Sequence, residues 1–144
     1  MGCMSSKPTN TLTVYLDKVT HLSDGDWMGK TDPYVTFVLE QDNWTFDQTM
    51  GKATSTKKSN DLNPVYGETF EFAVNGLRNL VLKVNVYDDD IGFDDKVGAC
   101  EIKVDDVIKK NQDPKEVVKV IDEKVGKWFS KDSKIYLKLS YKGE

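Results

Sequence analysis

The chain has 144 residues, of which 38% are hydrophobic and 31% charged, and its formal net charge at pH 7 is −4. These values exclude a disordered chain, and the apolar runs are far shorter than the ~20 residues that cross a bilayer as a helix. The mild acidity argues against nucleic acid as a partner, because duplex binders carry a basic surface. Two cysteines are too few for a disulfide framework, and the first ten residues lack the apolar region of a secretory signal. A reducing, cytoplasmic setting is expected.

The elements that the sequence predicts are short strands in which apolar and polar residues alternate. In chain order they cover 11–16, 33–39, 44–46, 52–57, 68–74, 80–87 and 97–104, with at least one more in 117–129 and a last one at 134–141. Residues 105–110 are predicted to form one short turn, and the polar segment MGCMSSKPTN is predicted to be a flexible arm outside the fold. We therefore predict an all-β protein, an antiparallel sandwich of about eight strands over 11–142, preceded by an arm at 1–10.

Two of the connections between predicted strands are rich in aspartate. The first, SDGDWMGKTDP, contains Asp24, Asp26 and Asp32, and the second, VYDDDIGFDDKVG, contains five aspartates from Asp88 to Asp95. Two carboxylates ~4 Å apart repel each other by about 4 kcal/mol at an effective dielectric constant of ~20, so such clusters are costly without a cation. Several hard oxygen ligands favour Ca²⁺, whereas Mg²⁺ keeps more water and Zn²⁺ prefers histidine and cysteine. The alternative is a solvated acidic loop that binds no metal.

An EF-hand does not fit either acidic connection. Counted from Asp88, the sixth position is Phe93 instead of glycine, and the twelfth is Ala99 instead of glutamate. Counted from Asp24, the twelfth position is Val35. The acidic residues of one connection therefore need partners from another connection.

Three segments of the sequence, in this order, resemble the C2 domain family. LTVYLDKVTHLSDGDWMGKTDPYVTF is similar to the family's opening, an alternating strand followed by D-x-x-G-x-[ST]-D-P-Y-V. NDLNPVYGETFEF is similar to its central L-N-P-x-[WFY]-x-E-x-F-x-F segment, and VNVYDDDIGFDDKVG to its V-x-D-x-D-x(4)-D-x-[IVL]-G loop, one residue shorter than in synaptotagmin-like members. The resemblance implies an eight-stranded antiparallel C2 β-sandwich, and the final strand KIYLKLSY implies the strand order called type II.

The resemblance also implies two or three Ca²⁺ ions held between loops at one end of the sandwich. The implied ligands are the side chains of Asp26, Asp32, Asp88, Asp90 and Asp95 and the backbone carbonyls of Gly25 and Asp89. The shortened loop leaves Asp94 as the alternative to Asp95.

Four apolar side chains stand among these acids, namely Trp27, Met28, Ile91 and Phe93. One alternative is that they fold back into the core, but their placement between ligands predicts that they point outward beside the ions. We expect Ca²⁺ to cancel the negative charge of the loops and to complete its coordination with oxygen atoms of anionic phospholipids. The apolar side chains would then enter the headgroup region of the membrane.

The segment MGCMSSK fits the N-myristoylation pattern M-G-x-x-x-[ST], with Gly2 as the acceptor and Ser6 at the sixth position. Cys3 beside it is a candidate for palmitoylation, and the alternative is an uninformative tail. One myristoyl chain binds membranes marginally, with a constant of order 10⁴ M⁻¹, whereas two acyl chains anchor a protein stably. We expect the arm and the acidic loops to act together.

No catalytic constellation is present, because His21 is the only histidine and no nucleophile motif lies beside it. We predict a calcium-dependent phospholipid-binding module rather than an enzyme, monomeric and peripheral on the cytosolic face of a membrane, in signalling or membrane trafficking. The alternative is a calcium-modulated protein–protein interaction adaptor at the membrane, which would use a strand face. Lys52, Lys57 and Lys58 are predicted to lie on a solvated strand face instead of forming a phosphoinositide site.

Overall fold

The computed structural model describes residues 10–22, 32–89, 94–125, 128–130 and 132–143, with the backbone alone described at 94–95, 123–125 and 128–130. Within these ranges the chain forms β1 Thr11–Thr20, β2 Pro33–Gln41, β3 Gln48–Thr54, β4 Val65–Ala73, β5 Leu80–Asp89, β6 Asp94–Lys103, α1 Val104–Val107, β7 Lys115–Val120, β8 Asp122–Val125, β9 Trp128–Ser130 and β10 Lys134–Lys142. The strands form two antiparallel sheets, in the orders β4-β1-β10-β7 and β3-β2-β5-β6-β8-β9.

The core lies between the two sheets and is built by alternation along the strands. In β2 and β10, and in β1 apart from a register shift after Leu16, buried and less buried side chains alternate, as at Leu12, Phe37 and Leu137. Because successive side chains of a strand point to opposite faces, such a pattern gives each sheet one apolar face to pack against the other. The predicted antiparallel sandwich is confirmed.

Eight of the strands, β1 to β7 and β10, have six to ten residues and correspond to eight of the nine predicted segments, while β8 and β9 add a short pair at the edge of the larger sheet. In the smaller sheet the first strand lies between β4 and the last strand, β10. This is the arrangement expected for the type II strand order.

The predicted strand 44–46 is wrong, and the predicted strand 52–57 is correct only over residues 52–54. Residues 42–47 form bends, and β3 runs instead from Gln48 to Thr54. The regular ladder between β2 and β3 ends at Ser55, whose backbone N–H still donates to the carbonyl of Val35 at 2.8 Å, while its Oγ accepts the N–H of Val35 at 2.8 Å. Lys57 therefore lies in the connection that follows β3, and not on a strand face.

Strand directions divide the connections between two ends of the sandwich. At one end β1 finishes, β2 begins, β5 finishes and β6 begins, so Asp32, Asp88 and Asp89 all lie there, together with the connection 55–64. We name this the aspartate end. At the other end lie Asn10, the connection 42–47 and the connection 74–79.

Candidate calcium site

Asp32 and Asp88 are joined directly where β2 begins and β5 finishes. The backbone N–H of Asp32 donates to Oδ1 of Asp88 at 2.8 Å, and the N–H of Asp89 donates to the carbonyl of Asp32 at 3.0 Å. The register of the two strands causes this contact, because Pro33 lies opposite Asp88. The fold therefore brings together aspartates from the two acidic connections, which are 56 residues apart in the chain.

Asp88 lies on the core-facing side of β5, where it follows Val84 and Val86, and its exposed fraction is only 8%. A buried carboxylate is costly unless hydrogen-bond donors or a cation compensate its charge. The Asp32 N–H is one such donor. A hard cation bound at this carboxylate would supply the compensating charge, so the chemistry and burial of Asp88 fit a Ca²⁺ ligand.

A β-bulge in β6 decides which residue lies opposite Asp88. Val86 pairs with Gly98, but the register shifts by one residue after it, so that Tyr87 pairs with Lys96. As a result Asp88 lies opposite Asp95, and Asp89 lies opposite Asp94. Without the shift, Lys96 would lie opposite Asp88, because a one-residue slip exchanges the two faces of a strand. The backbone thus places Asp95, and not Asp94, across from the buried aspartate.

The connection 55–64 contributes two contacts to the aspartate end that the sequence pattern does not predict. The N–H of Asn60, a residue with a positive φ of 48°, donates to Oδ1 of Asp32 at 2.7 Å. Nζ of Lys57 lies 3.0 Å from Oδ2 of Asp89, and it also stands 5.5 Å from the centre of the Tyr34 ring. The turn-forming run KKSNDLNP could have indicated a third loop at this end, although not its partners.

Tyr66, from the LNPVY segment, fixes the start of β2 beside Asp32. Its buried hydroxyl donates to the carbonyl of Pro33 at 2.7 Å, and the same carbonyl accepts the N–H of Lys58 at 3.1 Å. Burial is the largest cause that raises the pKa of Tyr66, with smaller contributions from Glu68 and Asp61, so the hydroxyl stays a donor. The central motif therefore positions the residues that follow the first acidic connection.

Several predicted site residues lie outside the described residues. These are Gly2, Cys3, Gly25, Asp26, Trp27, Met28, Asp90, Ile91 and Phe93, and for Asp94 and Asp95 only the backbone is described. Among the side chains that are described, no three His, Cys, Asp or Glu residues form a metal-binding group. Nor does the described part of the chain contain a helix long and apolar enough to cross a membrane.

Comparisons with known proteins identify the family of the chain. The sequence pattern of the C2 domain matches residues 10–120. The chain is 31% identical over 96 residues to "Calcium-dependent lipid-binding protein" of Arabidopsis thaliana, covering 67% of this chain and 17% of that protein. It is 33% identical over 124 residues to Synaptotagmin-2 of the same plant, covering 78% of this chain and 22% of that protein. It thus spans about a fifth of the length of these relatives.

Solved structures share the fold. A C2 domain of plant Extended Synaptotagmin 1 superimposes with a TM-score of 0.76 at 24% identity, over 96% of this chain and 98% of that one. Human GIVD cytosolic phospholipase A2 superimposes with a TM-score of 0.70 at 20% identity, over 94% of this chain and 17% of that one. The C2 domain pattern covers residues 10–120, and the strand order and the register at the aspartate end fit the same family. The chain belongs to the C2 domain family.

Proposed function

We propose that this C2 domain binds phospholipid membranes in a calcium-dependent manner and docks through its aspartate end. The observation that carries the proposal is the 2.8 Å contact between the Asp32 backbone and the buried Asp88 carboxylate, which joins the two acidic connections at one end of the sandwich. A relative named "Calcium-dependent lipid-binding protein" supports the same interpretation. The chain acts as a binding module and not as an enzyme.

The proposed site holds two or three Ca²⁺ ions. Its ligands are the side chains of Asp26, Asp32, Asp88, Asp90 and Asp95 and the carbonyls of Gly25 and Asp89. Asp88 and Asp95 lie opposite each other on neighbouring strands, so their carboxylates would supply hard oxygen ligands to a cation at this end. The register that pairs Asp88 with Asp95 supports Asp95 over Asp94 as the last ligand.

Calcium changes the sign of the interaction between this end and an anionic bilayer. Five carboxylates repel anionic lipids, whereas two bound Ca²⁺ ions would offset four of the five negative charges and would attract the phosphate or carboxylate oxygens of phospholipids. The apolar side chains of Trp27, Met28, Ile91 and Phe93 then enter the headgroup region. Each large apolar side chain that leaves water contributes roughly 1.5–3 kcal/mol.

The arm adds a calcium-independent attachment. Myristoylation of Gly2 and palmitoylation of Cys3 would hold the monomer at the cytosolic face of a membrane, because two acyl chains anchor stably. A high local concentration then allows even a weak contact between loops and lipids to saturate. Replacing Gly2 with alanine in cells should release the protein from membranes at resting calcium, and unchanged retention would contradict myristoyl anchoring.

The test is co-sedimentation of unacylated protein with phosphatidylserine-containing vesicles, with calcium and with chelator. We expect pelleting only with calcium, and loss of pelleting in Asp88→Asn. Asp106→Asn is the matched control, since it removes the same charge from an exposed residue of α1. Equal pelleting with calcium and with chelator would overturn the proposal. No pelleting in either condition would also overturn it, and both results favour the protein-interaction adaptor.

A second variant separates insertion from ion binding. Trp27→Ala combined with Phe93→Ala should leave calcium binding unchanged, measured by titration calorimetry, and weaken vesicle binding. Vesicle binding equal to that of the unaltered protein would contradict insertion of the apolar side chains.

A further inference from the structure

Two aromatic side chains are exposed at the end of the sandwich opposite the aspartate end. Trp44 is 99% exposed and Phe46 is 70% exposed, and both lie in the connection 42–47 between β2 and β3, which we name the tryptophan loop. Single exposed apolar residues are normal on a surface, but two large aromatic side chains on one short loop are typical of an interaction surface. Docking through the aspartate end gives this loop no role.

The larger sheet holds both ends of the tryptophan loop. Gln41 and Gln48 are partners in the ladder between β2 and β3, so the loop leaves the sheet and returns to it on adjacent strands. The N–H of Asp42 donates to the carbonyl of Asn79 at 2.8 Å, and Nε2 of Gln41 donates to the carbonyl of Arg78 at 3.0 Å. Because its base is fixed in this way, the loop loses less conformational freedom when a partner binds.

Two carboxylates stand at the base of the same loop. Asp42 directly follows Gln41 and Asp47 directly precedes Gln48, so the paired strands bring these two exposed acids together. Desolvation raises the pKa of Asp42, and the negative charges of Asp47 and Glu40 raise it further. A carboxyl group whose pKa is raised lacks partners that favour its charged form, and a cation beside it would supply one.

Lys83 offsets only part of this negative charge. It lowers the pKa of Asp42, but its Nζ lies 3.0 Å from Oε1 of Glu40, so one ammonium group serves three carboxylates. The charges that shift the pKa of Asp42 are those of Asp47, Glu40 and Lys83, and not that of Arg78, which is exposed in the neighbouring connection. The base of the tryptophan loop therefore keeps a negative charge.

The aromatic and acidic side chains together indicate the chemistry of a partner. An aromatic ring attracts a cation placed over its face, and arginine suits this contact because its guanidinium is planar and weakly hydrated. Trp44 offers such a face to solvent, and the carboxylates of Asp42 and Asp47 attract basic groups and repel acidic ones. The loop is thus complementary to a segment with neighbouring basic side chains, whereas an anionic bilayer or an acidic peptide would be repelled.

We propose that the tryptophan loop binds an arginine-rich segment of a partner protein, with one guanidinium stacked on the ring of Trp44 and a neighbouring basic side chain paired with Asp42 and Asp47. Phe46 covers the apolar stem of one of these side chains. The contact needs neither calcium nor lipid. It lies at the end of the sandwich that docking through the aspartate end leaves exposed, so the domain can hold this partner while it is bound to a membrane.

An octa-arginine peptide is the probe for the contact, and an octa-glutamate peptide is its control. The sequence has three tryptophans, so Trp27→Phe with Trp128→Phe leaves Trp44 as the sole emitter. Octa-arginine should change the emission of Trp44 in a saturable manner, equally in calcium and in chelator, and octa-glutamate should not. Amide chemical shifts of the unaltered protein should change most within residues 40–49. Unchanged emission, or the largest shift changes in another part of the chain, would overturn the inference.

Charge variants separate a local contact from general attraction to an acidic protein. Asp42→Asn with Asp47→Asn should weaken binding of octa-arginine by about five-fold or more at ~0.1 M salt. Asp105→Asn with Asp106→Asn is the matched control, since it removes the same charge from two exposed residues of α1, and it should change binding by less than about two-fold. Equal losses in the two double variants would overturn the proposed site.

Two substitutions of Trp44 separate stacking from simple apolar contact. Trp44→Leu keeps an apolar side chain but removes the aromatic face, so it should weaken binding of octa-arginine by about five-fold, whereas Trp44→Phe should keep most of it. Val118→Ala, at a 51% exposed apolar residue of β7, is the control and should change nothing. Binding by Trp44→Leu equal to that of the unaltered protein would overturn the stacking.

A bilayer is the competing occupant of the tryptophan loop. Unacylated protein with Trp44 as the sole emitter is mixed, in chelator and without peptide, with phosphatidylcholine vesicles whose acyl chains are brominated. Its emission should stay unchanged. Quenching of Trp44 would assign the loop to a bilayer and overturn the inference. The peptide experiments contain no lipid, so their failure would leave the proposed function standing.

Discussion

Replacing Asp88 with asparagine tests whether this residue binds calcium or only supports the fold. The two side chains have the same shape, and the amide oxygen of asparagine can still accept the Asp32 N–H that Asp88 now accepts at 2.8 Å. What changes is the charge of a residue that is 8% exposed. The substitution therefore removes one unit of the charge that would attract Ca²⁺ and keeps the local hydrogen bond.

The expected change in stability without calcium is small. A hydrogen bond to a charged acceptor contributes about 1.5–3 kcal/mol and a neutral one about 0.5–1.5 kcal/mol, so the loss is roughly 1 kcal/mol. Removing one of several crowded negative charges offsets part of it. Asp88→Ala differs, because it leaves the Asp32 N–H without this acceptor, at a cost of about 1–3 kcal/mol.

With calcium the two proteins should diverge. An ion that binds only the folded state stabilises it by ~2.7 kcal/mol at a concentration of one hundred times its dissociation constant. At roughly 2–4 °C per kcal/mol for a domain of this size, calcium should raise the melting temperature of the unaltered protein by about 5–11 °C. Asp88→Asn should lose most of that rise.

Differential scanning fluorimetry in chelator and in calcium measures both effects on the same samples. Asp106→Asn serves as the charge-matched control and should keep the full calcium shift. If Asp88→Asn keeps the calcium shift of the unaltered protein, Asp88 is not a calcium ligand. A melting temperature in chelator that falls far more than ~4 °C would instead assign the residue a structural role.

Three further outcomes are expected. Lys57→Gln should tighten calcium binding by roughly two- to five-fold in calorimetry, because it removes a positive charge held 3.0 Å from Asp89 at the site; unchanged or weaker binding would contradict this. Ser55→Ala should lower the free energy of unfolding in urea by about 1–3 kcal/mol, since the buried N–H of Val35 loses its acceptor, and a loss under ~0.5 kcal/mol would contradict that role. Burial raises the pKa of the Cys100 thiol to about 11 from 9.0. Between these pH values the thiol is ionised in the unfolded chain but still protonated in the folded protein, so the free energy of unfolding should fall as the pH rises from about 9 to 11. In Cys100→Ala the free energy of unfolding, measured by denaturation between pH 9 and 11, should fall less steeply with pH. A pH profile identical to that of the unaltered protein would contradict this role of Cys100.

Alternation of apolar and polar residues was enough to predict the strands that build the core. It predicted a strand at 80–87, whereas β5 continues to Asp89. Aspartate is depleted in strands, so the pattern ends where the charges begin. Pairing with Pro33 on one side and with β6 on the other extends the strand, and two predicted ligands lie on its last two positions.

The contacts that shape the candidate site depend on pairings that no local pattern contains. The bulge that places Asp95 opposite Asp88 is one extra residue in β6 relative to β5. The sequence of either strand alone does not reveal it. The sequence predicts Lys57 at the end of a polar strand, and only the pairing of Ser55 shows where that strand ends. The aromatic residues Trp44 and Phe46 favour a strand by composition, yet β3 starts after them at Gln48.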